Sequence, residues 1–288
     1  MAHSWTQLSV RTSPASIDAL ANFLIERGAP GVVLKKNGLD AFFAAPHAGA
    51  PLRRDINRFV DAVTRLFPGA RKPRLQWRVV KPENWEHSWK RFIKPRRVGK
   101  TFWVTPPWLE PPKFRRRRVI TIEPGMAFGT GTHATTRGCM EFLEWVSERL
   151  PTGRFTALDV GTGSGILAIA LAHLGAREVR AIDNDPVALR VARENCRANG
   201  VAETICLSGA RLNAIRRRFD VVAANLTAET LLELAAALEK KVATKGFLIL
   251  SGILHAKAGA VTRRFAARFR VVKRKQSREW VSLLLQRK

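Results

Sequence analysis

The 288 residues suffice for one large domain or a small one followed by a larger one, and a composition of 46% hydrophobic and 25% charged residues excludes a disordered or fibrous chain. No apolar run approaches the roughly 20 residues that span a bilayer, and MAHSWTQLSV lacks the charged start and apolar core of a secretory leader, so a cytoplasmic location is expected. The formal net charge is +27, with Lys and Arg outnumbering Asp and Glu by 24 to 8 in residues 1–120 and by 26 to 15 in 121–288. Such a chain suits contact with phosphates, although a charge run is more often a solvated face.

The first eighty residues read as strand, helix, strand, strand, helix, strand. WTQLSVR opens the series. A helix follows with Ser13 as cap, Pro14 in its first turn, Ile17, Leu20, Ala21, Leu24 and Ile25 on one face, and Gly28 as its stop. GVVLKK and AFFAAP form a strand pair; Ile56, Phe59, Val60, Val63 and Leu66 mark a second helix, and RLQWRVVK a last strand. This order predicts a two-layer, ferredoxin-like α+β domain over residues 1–80, without a phosphate loop or catalytic cluster.

Residues 81–98 read as a linking helix with Trp85, Trp89 and Phe92 on one stripe, a pattern of packing. The stretch 71–118 is the most basic, with sixteen Lys or Arg against three acids. FWVTPPW and RRVITIEP then lead into a domain, 99–288, where strands and helices alternate. That rhythm signals a mostly parallel, doubly wound α/β sheet. Its seven strands are expected at 155–160, 179–183, 203–208, 220–226, 247–252, 270–275 and 280–286, the last two as an antiparallel hairpin. Cys139, Cys196 and Cys206 form no CxxC pair and read as reduced core thiols. The six histidines lack ligand spacing, so no metal site is expected.

The chemistry-bearing residues cluster at the carboxyl ends of these strands. In ALDVGTGSGILAIA an apolar strand passes through Gly161, Gly163 and Gly165 into a helix, which lets backbone approach a ligand closely. Asp183 follows Gly161 by 22 residues, at the end of the next strand, where a carboxylate can accept from ribose hydroxyls. Asp185 and Pro186 read as the cap and first turn of the following helix. The loop is GTGSG preceded by Asp159 rather than the GxGxxG of dinucleotide sites, which favours S-adenosyl-L-methionine as cofactor. Asn225 ends another strand facing the same crevice. Upstream, TIEPGMAFGTGTHATT has the mixture of glycines and hydroxyls expected of a lid; its lone His133 is not assigned as a base.

IEPGMAFGTGTHATT, LDVGTGSGILAIA, AIDNDP, VAANL and LSGIL, in that order and with Glu279–Trp280 near the end, resemble the PrmA-type ribosomal protein methyltransferases, which modify large-subunit protein L-eleven. The resemblance spans residues 80–288 clearly. It implies a class I methyltransferase-like fold, a cofactor site at Thr136, Gly161, Asp183 and Asn225, an amino-terminal domain that holds the ribosomal protein, and methylation of lysine side chains and an amino-terminal amine. The expected reaction is in-line attack of a neutral amine on the sulfonium methyl, with Asn225 orienting the amine and no residue assigned as general base. The charge departs from a family associated with acidic or neutral chains. It points to docking where RNA surrounds the substrate, or to charge carried away from the site. Two other classes fit less well: a nucleic-acid methyltransferase, against which NLTA replaces the NPPY or DPPY run that holds a flipped base, and a ribosome-binding module without catalysis.

Overall fold

A computed structural model describes residues 5–44, 48–66, 72–80, 93–110, 117–123 and 133–288. They divide into two compact units, one ending at Lys94 and the other starting at Pro95. Among the described residues, no helix is long and apolar enough to cross a membrane.

The first unit contains β1 (Trp5–Arg11), α1 (Pro14–Glu26), β2 (Val32–Lys35), β3 (Gly38–Ala44), α2 (Ala50–Leu66) and β4 (Arg74–Val80). The sheet order is β2-β3-β1-β4, every pair antiparallel, which is the split βαβ arrangement of a ferredoxin-like layer. Alternation along β1 buries Leu8 and Val10 against Ile17, Leu20 and Leu24 of α1 and Ile56 and Val60 of α2. Phe23 and Phe59 stack with ring centroids 3.9 Å apart. Ser13 occupies the cap position, but its side chain makes no capping bond; its hydroxyl lies 3.3 Å from that of Ser16 instead. Gly28, at φ +90°, ends α1 while Ala29 N–H donates to the Leu24 carbonyl.

The second unit starts with a small sheet absent from the sequence reading: β5 (Arg96–Val98), β6 (Phe102–Thr105) and β7 (Arg118–Thr121), in that order. The expected linking helix over 81–98 therefore does not reach its end, because Arg96–Val98 pairs antiparallel with β6. Gly99, at φ +57°, makes the turn, and the Glu144 carboxylate accepts from the amides of Lys100 and Thr101 at 2.8 and 2.7 Å. Trp85, Trp89 and Phe92 lie outside the described residues.

The large sheet is formed by β8 (Thr156–Val160), β9 (Glu178–Ile182), β10 (Ile205–Ser208), β11 (Phe219–Asn225), β12 (Val242–Leu254), β13 (Phe269–Ser277) and β14 (Trp280–Arg287). Its order, β10-β9-β8-β11-β12-β14-β13, is parallel except for β14, which is antiparallel to both neighbours. This is the expected doubly wound, class I methyltransferase-like sheet. Helices α3 (Ala134–Ser147), α4 (Ile166–His173), α5 (Pro186–Ala198), α6 (Ala228–Glu233), α7 (Ala235–Lys241) and α8 (His255–Phe265) intervene. Every residue of β8 is buried, as a central strand covered on both faces requires. Cys139 and Cys196 lie in the core, where burial pushes their thiols up to about 12 and 11 and keeps them protonated. Cys206 corrects the core-thiol expectation: alternation along the edge strand β10 buries Ile205 and leaves Cys206 exposed.

Candidate active site

Strand order reverses at β8, whose neighbours β9 and β11 carry the chain away in opposite directions, so a crevice opens beyond its carboxyl end. Gly161, Gly163 and Gly165 form the loop there, at φ +73°, +54° and +82°, where a side chain would be strained. A Cβ on Gly161 would stand 2.5 Å from Leu226 Cδ2, and one on Gly165 3.2 Å from the Ala192 methyl of α5. The loop is held from β9: Gly161 and Thr162 N–H donate to the Ile182 carbonyl, and Gly163 N–H donates to Asp183 Oδ2 at 2.8 Å. Asp183 Oδ1 accepts from Asp185 N–H at 3.0 Å. A carboxylate has about four acceptor sites, so Asp183 retains capacity for ligand hydroxyls. Asp185 caps α5 by accepting from Val187 N–H, with Pro186 in the first turn.

Beneath the loop, Asp159 is 1% exposed and accepts from the Thr162 hydroxyl at 2.6 Å. Burial raises its pKa from 3.8 to about 7, outweighing the Thr162 hydrogen bond that lowers it. The folded chain therefore holds a proton that the unfolded chain has lost. Its contribution to stability is complete below about 3.8, declines as pH rises toward 7 and is flat above. The decline amounts to at most roughly 4 kcal/mol at 1.36 kcal/mol per tenfold. Asp159→Asn is expected to remove this slope: urea midpoints of the variant should lose less between about pH 4 and 7 than those of the parent. Parallel profiles would show that Asp159 is ionised throughout.

The other side of the crevice is built from β11, β12, β14 and α3. Asn225, the last residue of β11, is in register with Ser251. The Ser251 hydroxyl donates to the Thr135 carbonyl at 3.2 Å and lies 2.7 Å from the Ser282 hydroxyl, which fastens the first turn of α3 over the strand ends. A Cβ on Gly138 would come within 2.3 Å of Ser282 Oγ, so the close approach of α3 depends on that glycine. Thr136, in the same turn, is fully buried. Asn225 Oδ1 and Thr136 Oγ1 are buried with no hydrogen-bond partner among the described residues. Leaving such an atom unsatisfied costs about 1–3 kcal/mol; a ligand hydrogen bond would recover it. His133 caps α3, its Nδ1 lying 2.7 Å from Thr135 Oγ1, and its ring meets Trp280 edge-on at 5.1 Å.

Gly161, Gly163, Gly165 and Asp183 thus meet beyond the end of β8, Leu226 next to Asn225 covers Gly161, and Thr136 lies buried in the first turn of α3. Residues 124–132, with most of the expected lid, lie outside the described residues. Sequence reasoning missed Ser251 and Ser282, which join only through sheet order. It also missed Asn195 and Asn199 on α5. Asn195 is buried and donates to the Ser164 carbonyl at 2.8 Å while accepting from Glu123 N–H at 3.2 Å; Asn199 accepts from Thr121 N–H at 2.8 Å and donates to the Thr121 carbonyl. Two asparagines at i and i+4 beside a buried helical stripe were the available signal.

The family model described as "Ribosomal protein L11 methyltransferase (PrmA)" matches residues 4–288. Proteins of that name from Pelobacter propionicus and Geobacter sulfurreducens are 36% and 39% identical, the first over 100% of this chain and 99% of its own length, the second over 88% of each. The crystal structure of a ribosomal protein L11 methylase from Lactobacillus delbrueckii subsp. bulgaricus aligns with a TM-score of 0.62 and 32% identity, covering 68% of this chain and 100% of its own.

Proposed function

Because the chain belongs to the ribosomal protein L-eleven methyltransferase family, we propose that it transfers methyl groups from S-adenosylmethionine to lysine side-chain and amino-terminal amines of large-subunit protein L-eleven. The observation that carries this reading is that Asn225 Oδ1 and Thr136 Oγ1 are buried without a hydrogen-bond partner among the described residues, Asn225 directly preceding the Leu226 that covers Gly161. The residues fit the cofactor. Gly161, Gly163 and Gly165 present bare backbone, and Asp183 keeps acceptor capacity for ribose hydroxyls. Thr136 supplies a buried hydroxyl. When bound, S-adenosylmethionine supplies a methyl group on a positively charged sulfur.

The chain's own work is binding and orientation. A lysine amine, near pKa 10.4 in water, must be neutral to act as nucleophile, and a desolvated site beside a positively charged sulfur favours that form. Asn225 Oδ1 accepts an amine N–H and thereby aims the lone pair; holding reactants in near-attack geometry is the larger contribution here. The amino-terminal unit holds the ribosomal protein. The action takes place in the cytoplasm, and the basic surface contacts ribosomal RNA around the substrate.

Incubation with methyl-labelled S-adenosylmethionine and an unmethylated extract containing ribosomal proteins and RNA tests the assignment. Label in a small ribosomal protein that survives nuclease supports it, whereas label in RNA would make the chain a nucleic-acid methyltransferase. Asn225→Ala is expected to lower kcat about 100-fold, as misorientation of a reacting group does, with a smaller loss of cofactor affinity. Unchanged turnover would remove Asn225 from the mechanism.

A further inference from the structure

A groove of about 740 Å³ runs within the second unit between the turn after β5, one face of α3 and the edge strand β13. Arg97, Lys100, Arg137, Lys273 and Lys275 line it, with Trp145 on the helix side. Its acids are mostly committed. Glu141 pairs with Lys275, and Glu144 is buried and accepts the amides of Lys100 and Thr101. Arg97, Lys100 and Arg137 are exposed and have no acidic partner within 4.0 Å among the described residues. Lys273 stands over the Trp145 ring at 5.2 Å.

We propose that this groove is a binding site for the phosphate backbone of single-stranded RNA, with Arg97, Lys100, Arg137 and Lys273 as the phosphate contacts. The proposal rests on the reading that the basic surface meets ribosomal RNA, and it gives that contact a place. Three features favour a polyanion over a compact acidic ligand. First, the cations Arg97, Lys100, Arg137, Lys273 and Lys275 outnumber the lining carboxylates Glu141, Glu144 and Glu148. Secondly, the cations are distributed along the groove, which suits repeated charges on a chain. Thirdly, the basic character continues beyond it: β13 ends the sheet, and Arg270, Arg274 and Arg278 are exposed along or just past that strand. The groove faces a side of α3 marked by Ala134, Arg137, Glu141, Trp145 and Glu148, residues three or four apart, whereas Thr135, Thr136 and Cys139 belong to its buried face. Phosphate contact is therefore separable from the cofactor crevice. Lysines along an edge strand also deter edge-to-edge association, and that role alone predicts no RNA affinity.

The test uses the full-length chain and a fluorescent single-stranded 20-nucleotide RNA, with anisotropy read across a salt series. Two triple variants remove equal charge: Arg97→Gln, Lys100→Gln, Lys273→Gln in the groove, and Arg190→Gln, Arg193→Gln, Arg197→Gln on the exposed face of α5, beside β10 at the other edge of the sheet. The slope of log affinity against log salt is about −0.7 per phosphate contact for single strands, so the groove variant should lose roughly two units of slope and bind at least about 10-fold more weakly. The remote variant should keep most of the parent's slope and affinity. Equal losses in both variants would overturn the groove while leaving RNA contact intact. No binding by the parent would overturn both readings. Effective competition by polyglutamate at equal charge concentration would also reject the assignment, because the groove would then be selecting charge without nucleotide. Circular dichroism and S-adenosylmethionine affinity, expected to be unchanged in both triples, separate lost contact from lost folding.

Discussion

Asp183→Ala is expected to weaken S-adenosylmethionine binding by roughly 100-fold. The carboxylate does two things at once. Its Oδ2 accepts from Gly163 N–H at 2.8 Å and so holds the glycine loop, and in the proposed function its remaining lone pairs accept from ribose hydroxyls. A hydrogen bond to a charged group contributes about 1.5–3 kcal/mol; losing two at the low end is about 3 kcal/mol, or somewhat more than a hundredfold at 1.4 kcal/mol per tenfold. Asp183→Asn keeps one acceptor oxygen and should fall between the two. Isothermal titration with the cofactor reads both variants. An Asp183→Ala affinity within threefold of the parent would show that Asp183 only shapes the loop.

Gly252→Ala should be the most damaging small substitution near the site. Gly252 sits at φ +81° where the register of β12 against β14 shifts between Leu250 and Ile253. A Cβ there would meet the Leu226 carbonyl oxygen at 2.3 Å and its carbon at 2.8 Å. Both are backbone atoms and neither can rotate away. Leu226 follows Asn225 directly, and its side chain already fills the space above Gly161; any shift of Leu226 is passed to the acceptor and to the loop together. Left-handed backbone costs a residue with a Cβ about 1–2 kcal/mol, and overpacking adds about 1–3, so a loss near 3 kcal/mol in urea unfolding is expected, with weaker cofactor binding. Gly200→Ala provides the contrast. That glycine has φ +66° with nothing within 4 Å of a built Cβ, so only the conformational part remains. Equal losses at the two positions would mean that the contact with Leu226 relaxes without cost.

The same contrast separates what could be read along the chain from what could not. The placement of Gly161, Gly163, Gly165 and Asp183 was legible because it is local. A strand, a glycine turn, a helix and the next strand end are contiguous, and the periods of two and 3.6 place each residue before any long-range contact is known. The amino-terminal unit was legible for a similar reason, since its hydrophobic faces follow from α1 and α2 alone. The small sheet was not. Its strands are three or four residues long, and β6 and β7 pair across the intervening chain. Arg96–Val98 carries no periodic signal that distinguishes strand from the end of a helix.

By itself, the sequence determined the alternating parallel sheet, the glycine loop, the acidic residue after the second strand and the motif string that marks the family. These depend on neighbours within some thirty positions, where chain geometry leaves few choices. Tertiary structure alone decided that β14 inserts between β12 and β13, and with it that Ser282 meets Ser251 and fastens the start of α3. It also decided that Asn225 ends buried with its oxygen unpartnered, and that Cys206 lies on an edge. Such facts are set by which distant segments share the core and which atoms that packing leaves without partners, and no period in a single strand or helix encodes them.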